Sequence, residues 1–343
     1  MTFLSKISTR TGVAAALLAG TVMTASAFTA CQVTDTGGID DAGFNQTAWK
    51  GVQDAMAADD SIEGRFLESQ AETDYEANLN SLIEGGCDII ITVGFLMGDA
   101  TAAAAAANPE QEFSIVDFAY DPTIENVLGQ VYATDQGAFL AGYLAAGMSE
   151  TGVVGTFGGI NIPPVTAFMD GYYYGVQYYN EQKGTDVMVL GWNPESSEGL
   201  FTGNFDSLDD GRAFAENLHQ EGADIIMPVA GPVGLGSAQL ADEMGTDSLK
   251  IIGVDADQTE TDPEKAHVYL TSVLKRMDST VTQVIEMSMA EEFEGGLIVG
   301  TLENDGVGLA PYGAFEDSVP EELKAEIEAV KAGIIDGSIT VGM

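Results

Sequence analysis

The sequence predicts an α/β protein of two Rossmann-like lobes, each a parallel sheet flanked by helices, with a ligand cleft between the lobes. Three observations predict it. Runs of β-branched and apolar residues suited to buried strands alternate with segments of helical periodicity. The second half of the chain repeats the first in degenerate form. About 316 of the 343 residues follow an apparent export leader, ample for two lobes of the usual ~100–200 residues.

Three matches in the same order carry the repeat. Phe44 to Gly51-Val52-Gln53 matches Phe168 to Gly175-Val176-Gln177 at identical spacing. Leu82…Glu84-Gly85-Gly86-Cys87-Asp88-Ile89-Ile90 resembles Leu218…Glu221-Gly222-Ala223-Asp224-Ile225-Ile226. Ile115-Val116-Asp117 resembles Gly253-Val254-Asp255. The offsets of 124, 136 and 138 residues place one insertion of about twelve residues between the first two matches.

In the first lobe the expected order is a strand at Thr29–Thr34, a helix at Phe44–Ala58 and a strand at Arg65–Glu68. A helix at Tyr75–Glu84 sets Tyr75, Leu79, Leu82 and Ile83 on one face. Asp88–Val93 is a β-branched run fit for a buried parallel strand. An alanine-rich helix, Ala100–Ala107, stops at Asn108-Pro109, and strands follow at Phe113–Asp117 and Val127–Tyr132. The second lobe restarts at Val153. Its helices are expected near 166–183, 210–221 and 236–244, and its strands at 187–192, 224–228 and 250–254. The tail reads as a helix at Met277–Glu291, short strands at Leu297–Thr301 and Gly306–Leu309, and an amphipathic helix at Glu321–Ile335.

Lys6 and Arg10, the apolar stretch Gly12–Met23 and then Ala25-Ser26-Ala27 form an export-signal pattern, so residues 1–27 are expected to be a cleaved signal peptide and the mature protein periplasmic or otherwise extracytoplasmic. The apolar stretch is short of the ~20 residues a membrane span needs. Residues 28–150 plus about 256–276 are assigned to the N-terminal lobe, 151–255 plus about 277–320 to the C-terminal lobe, and about 321–343 to a final helix and strand. Crossings between lobes are expected near Met148–Val153, Asp255–Gln258 and Leu274–Met277.

With 54 acidic against 12 basic residues, the net charge of −42 repels nucleic acid and disfavours multiply charged anions such as nucleotides. The two cysteines, Cys31 and Cys87, are in no CxxC pattern, so neither metal nor redox chemistry is expected; export permits a disulfide, and both bonded and free states stay open. Phe28 three residues before Cys31 argues against a lipoprotein anchor there, as does the loss of half the first strand on cleavage. His219 and His267 have no partners suggestive of a catalytic triad, and no catalytic residue, metal or cofactor is expected.

Ligands of parallel α/β sheets lie beyond the carboxyl ends of the strands. The first strand is followed by Asp35 and then by Gly37-Gly38-Ile39-Asp40-Asp41, a turn leading to Phe44 and Asn45 at the helix start. Asp40 and Asp41 also have the position of helix caps. Asp117 and Asp255 each end an apolar strand, where a carboxylate accepts hydrogen bonds from a diol or a base N–H edge. Lys275 stands out among so few cations. Gly231 leaves room for backbone contact, and Phe205, in an Asp- and Gly-rich loop, is a second aromatic ring suited to a flat ligand.

The run Val33-Thr34-Asp35-Thr36-Gly37-Gly38-Ile39-Asp40-Asp41…Phe44-Asn45-Gln46 resembles the opening signature of the basic membrane protein family, purine nucleoside receptors of ABC importers. The resemblance continues through Gln136–Gly142, Gly253-Val254-Asp255-Ala256-Asp257-Gln258 and Ser272-Val273-Leu274-Lys275-Arg276, and so spans nearly the whole mature chain. It implies the type I periplasmic-binding-protein architecture and a purine nucleoside (adenosine, guanosine or inosine) passed to ABC permease subunits. It further implies that Phe44 and Phe205 sandwich the base, Asn45 and Asp117 contact its edge, and Asp255 and Lys275 take the ribose hydroxyls, with Asp35 and Gly231 nearby. Gly43 replaces the usual serine before Phe44, and the aspartate after Phe205 is one residue early, at Asp206.

Three carboxylates and one lysine suit a neutral ligand rich in N–H and O–H donors rather than a phosphate. The rival binding reading is a sugar or autoinducer receptor of the same fold. The rival enzyme is a nucleoside hydrolase, but Val33 stands where its calcium loop has an aspartate, and the loop offers too few oxygens for calcium.

Overall fold

Chain segments rich in valine and isoleucine form the centre of two six-stranded sheets. A computed structural model describes residues 27–342, so all of the expected signal peptide but its last alanine lies outside the described residues. In the first sheet β1 (Phe28–Val33), β2 (Ile62–Leu67), β3 (Ile89–Val93), β4 (Glu112–Val116) and β5 (Val127–Tyr132) are all parallel. Between them run α1 (Phe44–Ala58), α2 (Tyr75–Glu84) and α3 (Gly98–Ala107). In the second sheet β6 (Val153–Gly158), β7 (Met188–Leu190), β10 (Ile225–Val229), β11 (Lys250–Asp255) and β12 (Tyr269–Lys275) are parallel. Their connections hold α5 (Pro163–Lys183), a small hairpin of β8 (Trp192–Asn193) and β9 (Glu198–Gly199), α6 (Leu208–Gln220), α7 (Val233–Met244) and the short α8 (Gln258–Thr261).

Strand order carries the duplication into three dimensions. The first sheet reads β2-β1-β3-β4-β5-β13 and the second β7-β6-β10-β11-β12-β14, where β13 is Gly296–Gly300 and β14 is Val307–Leu309. The orders correspond strand for strand. Only the last differs, since β13 is parallel to β5 and β14 antiparallel to β12.

The helix after β5 was not legible in the sequence. α4 (Thr134–Met148) has 11 of its 15 residues buried, so it lacks the polar face that would betray a helical period. It packs against α5 of the second lobe, while its counterpart after β12, α9 (Met277–Met289), packs against α1 of the first. The repeated glycine explains both contacts. A Cβ on Gly51 would lie 2.5 Å from the Asp278 carbonyl oxygen, and one on Gly175 2.0 Å from that of Phe139. Glycine at these two equivalent positions lets each helix pair approach backbone to backbone.

The expected lobe boundaries need correction. β12 pairs with β11, so Tyr269–Lys275 belongs to the second lobe, and α9 with β13 belongs to the first. The chain crosses after Tyr132, after Lys275 and between Gly300 and Val307, and it does not cross at Met148–Val153 or at Asp255–Gln258. The sequence pattern locates strands but not their sheet, because pairing partners are remote in the chain. The final helix, α10 (Glu321–Ile335), packs on α4, and no strand follows it among the described residues. Cys31 on β1 and Cys87 just before β3 form a disulfide, with their Cα atoms 6.0 Å apart, in the apolar layer under α2.

Candidate functional site

The carboxyl ends of both sheets face one cavity, lined by residues of both lobes. Asp117 and Asp255 occupy equivalent strand ends, and both have left-handed backbones, with φ of 68° and 70°. That conformation costs a non-glycine residue roughly 1–3 kcal/mol. The Asp117 N–H is held to the Gln130 carbonyl at 2.8 Å, and Asp255 stays in register with Leu274. Strain kept at both copies of one position marks it as the place where each lobe aims its acid.

Lys275, the last residue of β12, is buried with its ammonium between these acids. Its Nζ donates to Asp117 Oδ2 at 2.5 Å and lies 3.9 Å from Asp255 Oδ1. The closer pair therefore spans the two lobes. Burial pushes Asp255 up to about 6, Lys275 lowers it, and Asp117 and Asp35 raise it further.

Asp35 and Asp41 sit on the loop between β1 and α1. Asp41 Oδ1 accepts from the Gly43 and Gln46 N–H groups, and its Oδ2 accepts from Asn45 N–H and Asn45 Nδ2. It thus caps the helix from outside, satisfying first-turn donors that a glycine at position 43 leaves open. Burial pushes Asp41 up to about 7 against those donors. Asp35 Oδ1 accepts from Gly37 N–H at 2.9 Å and Asn45 Nδ2 at 2.6 Å. Burial raises its pKa too, with Asn45 the largest opposing influence.

Asn45 is the one singled-out residue outside the cavity lining. Its amide is spent inside the loop, since Nδ2 donates to Asp35 and Asp41 and Oδ1 accepts from Asp35 N–H. Through these bonds it orients Asp35 at the edge of the cavity. Asp40 is exposed and also stands away from the cavity.

Phe44 and Phe168, the phenylalanines of the repeat, both line the cavity. Their ring centroids lie 4.6 and 6.0 Å from Lys275 Nζ, within range of cation–π attraction at Phe44 and at its limit at Phe168. Phe168 was missed as a site residue, although its match to Phe44 was the signal that pointed to it. Phe205 reaches the cavity from the connection that carries the extra hairpin. Gly159 makes its seat, because a Cβ there would fall 2.3 Å from the Phe205 ring. Apolar walls come mostly from the second lobe, including Ile162, Val165 and Val229. Of the eight residues the sequence singled out, Asp35, Phe44, Asp117, Phe205, Gly231, Asp255 and Lys275 converge on this cavity. His219 and His267 do not line it: His219 binds the Ala223 carbonyl, and His267 pairs with Asp242 on the surface.

Residues 28–342 match the model of a family described as Bmp, ABC transporter substrate-binding protein PnrA-like. The chain is 32% identical to the CD4+ T-cell-stimulating antigen of Listeria monocytogenes, over 92% of this chain and 88% of that protein. It is 30% identical to the ABC transporter nucleoside-binding protein BmpA of Lactococcus lactis, over 90% and 87%. Basic membrane protein A of Borreliella afzelii is 30% identical over 89% of each chain. Among solved structures, an ABC transporter solute-binding protein from Aeropyrum pernix K1 superposes with a TM-score of 0.81 at 28% identity, covering 91% of this chain and 92% of that one. The architecture is that of the type I periplasmic binding proteins.

Proposed function

The chain belongs to the PnrA-like family of ABC transporter substrate-binding proteins, and on that premise we propose that it binds a purine nucleoside between its lobes and delivers it to the permease. One observation carries this reading: the cavity combines four aspartates and a single lysine with aromatic faces from both lobes. On this reading the base lies between Phe44 and Phe205, which both line the cavity, and stacking contributes about 1–3 kcal/mol per base. Asp35 Oδ2, Asp117 Oδ1 and both Asp255 oxygens accept from no N–H or O–H among the described residues, so the site asks for a ligand rich in donors. Base amino groups and ribose hydroxyls provide them. An anion meets four aspartates against one lysine, which disfavours nucleotides. The nucleoside-binding name of the Lactococcus lactis relative supports the same assignment. The export-signal pattern of residues 1–27 fits delivery outside the cytoplasm.

Titration calorimetry with adenosine, guanosine, inosine, uridine, ribose and AMP tests the proposal. Purine nucleosides are expected to bind, with AMP weaker by at least about tenfold. Binding of ribose alone would convert the assignment to a sugar receptor. Free base appearing in the adenosine or inosine samples would convert it to a hydrolase.

A further inference from the structure

The ends of β5 and β12 are equivalent positions, and they meet at the hinge. Tyr132 ends β5 and Lys275 ends β12. One non-helical residue follows each, with nearly the same backbone: φ −76° and ψ 63° at Ala133, φ −80° and ψ 58° at Arg276. A helix then carries the chain into the opposite lobe. The third crossing segment holds both points, since Ala133 N–H donates to the Gly300 carbonyl at 2.8 Å and Arg276 N–H to that of Gly306 at 2.9 Å.

Across this junction the Lys275 ammonium lies 5.3 Å from the Tyr132 ring centroid. Tyr132 does not line the cavity. Its hydroxyl is tied at the far end, 2.5 Å from Thr280 Oγ1 on α9 and donating to Gln130 Oε1 at 3.3 Å. Tyr132 thus backs the lysine from behind while Phe44 and Phe168 flank it within the cavity. A long flexible side chain with three donors loses much entropy when held in one place, and rings around it lower that loss at the moment of binding.

Resting on the nucleoside reading, we propose that Tyr132 is a positioning residue for Lys275, seating its ammonium so that it meets the sugar hydroxyls of the ligand without itself touching them. Because both residues sit at the two matched crossing points, the seat forms only when the lobes hold this arrangement.

The test is the ratio of adenosine to 2′,3′-dideoxyadenosine affinity, measured by calorimetry in wild type, Tyr132→Phe and Tyr132→Leu, with Tyr132→Met as a volume-keeping substitute should the leucine variant not fold. Wild type is expected to prefer adenosine. Tyr132→Leu is expected to cut that preference about tenfold, while Tyr132→Phe, which keeps the ring, retains most of it. A purely structural role would weaken both ligands equally and leave the ratio unchanged, and that result overturns the proposal. So does a wild-type ratio near one. Wild type that binds no nucleoside at all removes the functional reading itself, a separate outcome visible before any variant is made.

Discussion

In the first lobe the loop after the leading strand carries Asp35 and Asp41, locked by Asn45; in the second the matching loop carries Gly159 and Ile162. The connection after the outer strand is short in the first lobe. In the second it holds the extra hairpin and lays Phe205 over Gly159. Yet Asp117 matches Asp255 and Phe44 matches Phe168, in residue type and, for the acids, in backbone conformation. Position in the cleft is thus inherited from topology, and chemistry is set loop by loop. The first lobe became the polar wall and the second the apolar one, with Lys275 binding them together.

Removing that link should have the largest effect. Lys275→Met leaves Asp117 and Asp255 facing each other without a cation, and breaking a buried ion pair from one side costs about 3–5 kcal/mol. Nucleoside binding should fall at least about 100-fold and the melting temperature should drop. Near-normal affinity would show that the two walls do not depend on the lysine.

The equivalent aspartates should then part company. Asp117→Asn takes away the closer partner of Lys275, so the ligand-free protein should melt lower. Asp255→Asn removes a carboxylate that burial already penalises, so the ligand-free protein should melt higher while nucleoside affinity falls roughly 10- to 100-fold. Equal shifts in the two variants would erase the distinction between the lobes.

Phe44→Ala should weaken binding about tenfold through lost stacking, and Phe168→Ala by less, because Phe168 lines the cavity without being one of the two rings assigned to the base. Calorimetry on both reads the order directly. A larger loss at Phe168 would make the second lobe the main stacking wall.

The smallest effect concerns pH. Asp255 is pushed up to about 6 and Asp41 to about 7, and Asp35 is raised as well. An acid with a higher pKa folded than unfolded stabilises the fold fully below about pH 4, and that contribution is lost as pH rises through about 6–7. The melting temperature of the ligand-free protein should therefore decline from pH 5 to pH 8. Asp255→Asn should flatten the part of the decline near pH 6. A melting temperature that rises over this range would mean that the cavity acids are better compensated than their burial implies.

Much of the site was legible because its carriers are local. Strand-end acids follow apolar runs at Asp117 and Asp255, and a lone cation draws the eye to Lys275. Phe168 was written in the repeat and still went unread, because a phenylalanine at a helix start is equally at home in a core. The base-edge contact of Asn45 is an expectation from the family resemblance alone. Its pairing with Asp35 and Asp41 depends on how the turn closes, which no spacing reveals.

The α/β class, the paired lobes and the acids at the strand ends were determined by the sequence alone, because each is encoded within a contiguous stretch whose periodicity or repetition survives without its neighbours. Tertiary structure alone decided that α4 and α9 exchange lobes, that Cys31 meets Cys87, that Tyr132 backs Lys275, and which wall is polar. These depend on residues far apart in the chain sharing space from which water has been excluded, and only the folded contacts establish which of them meet.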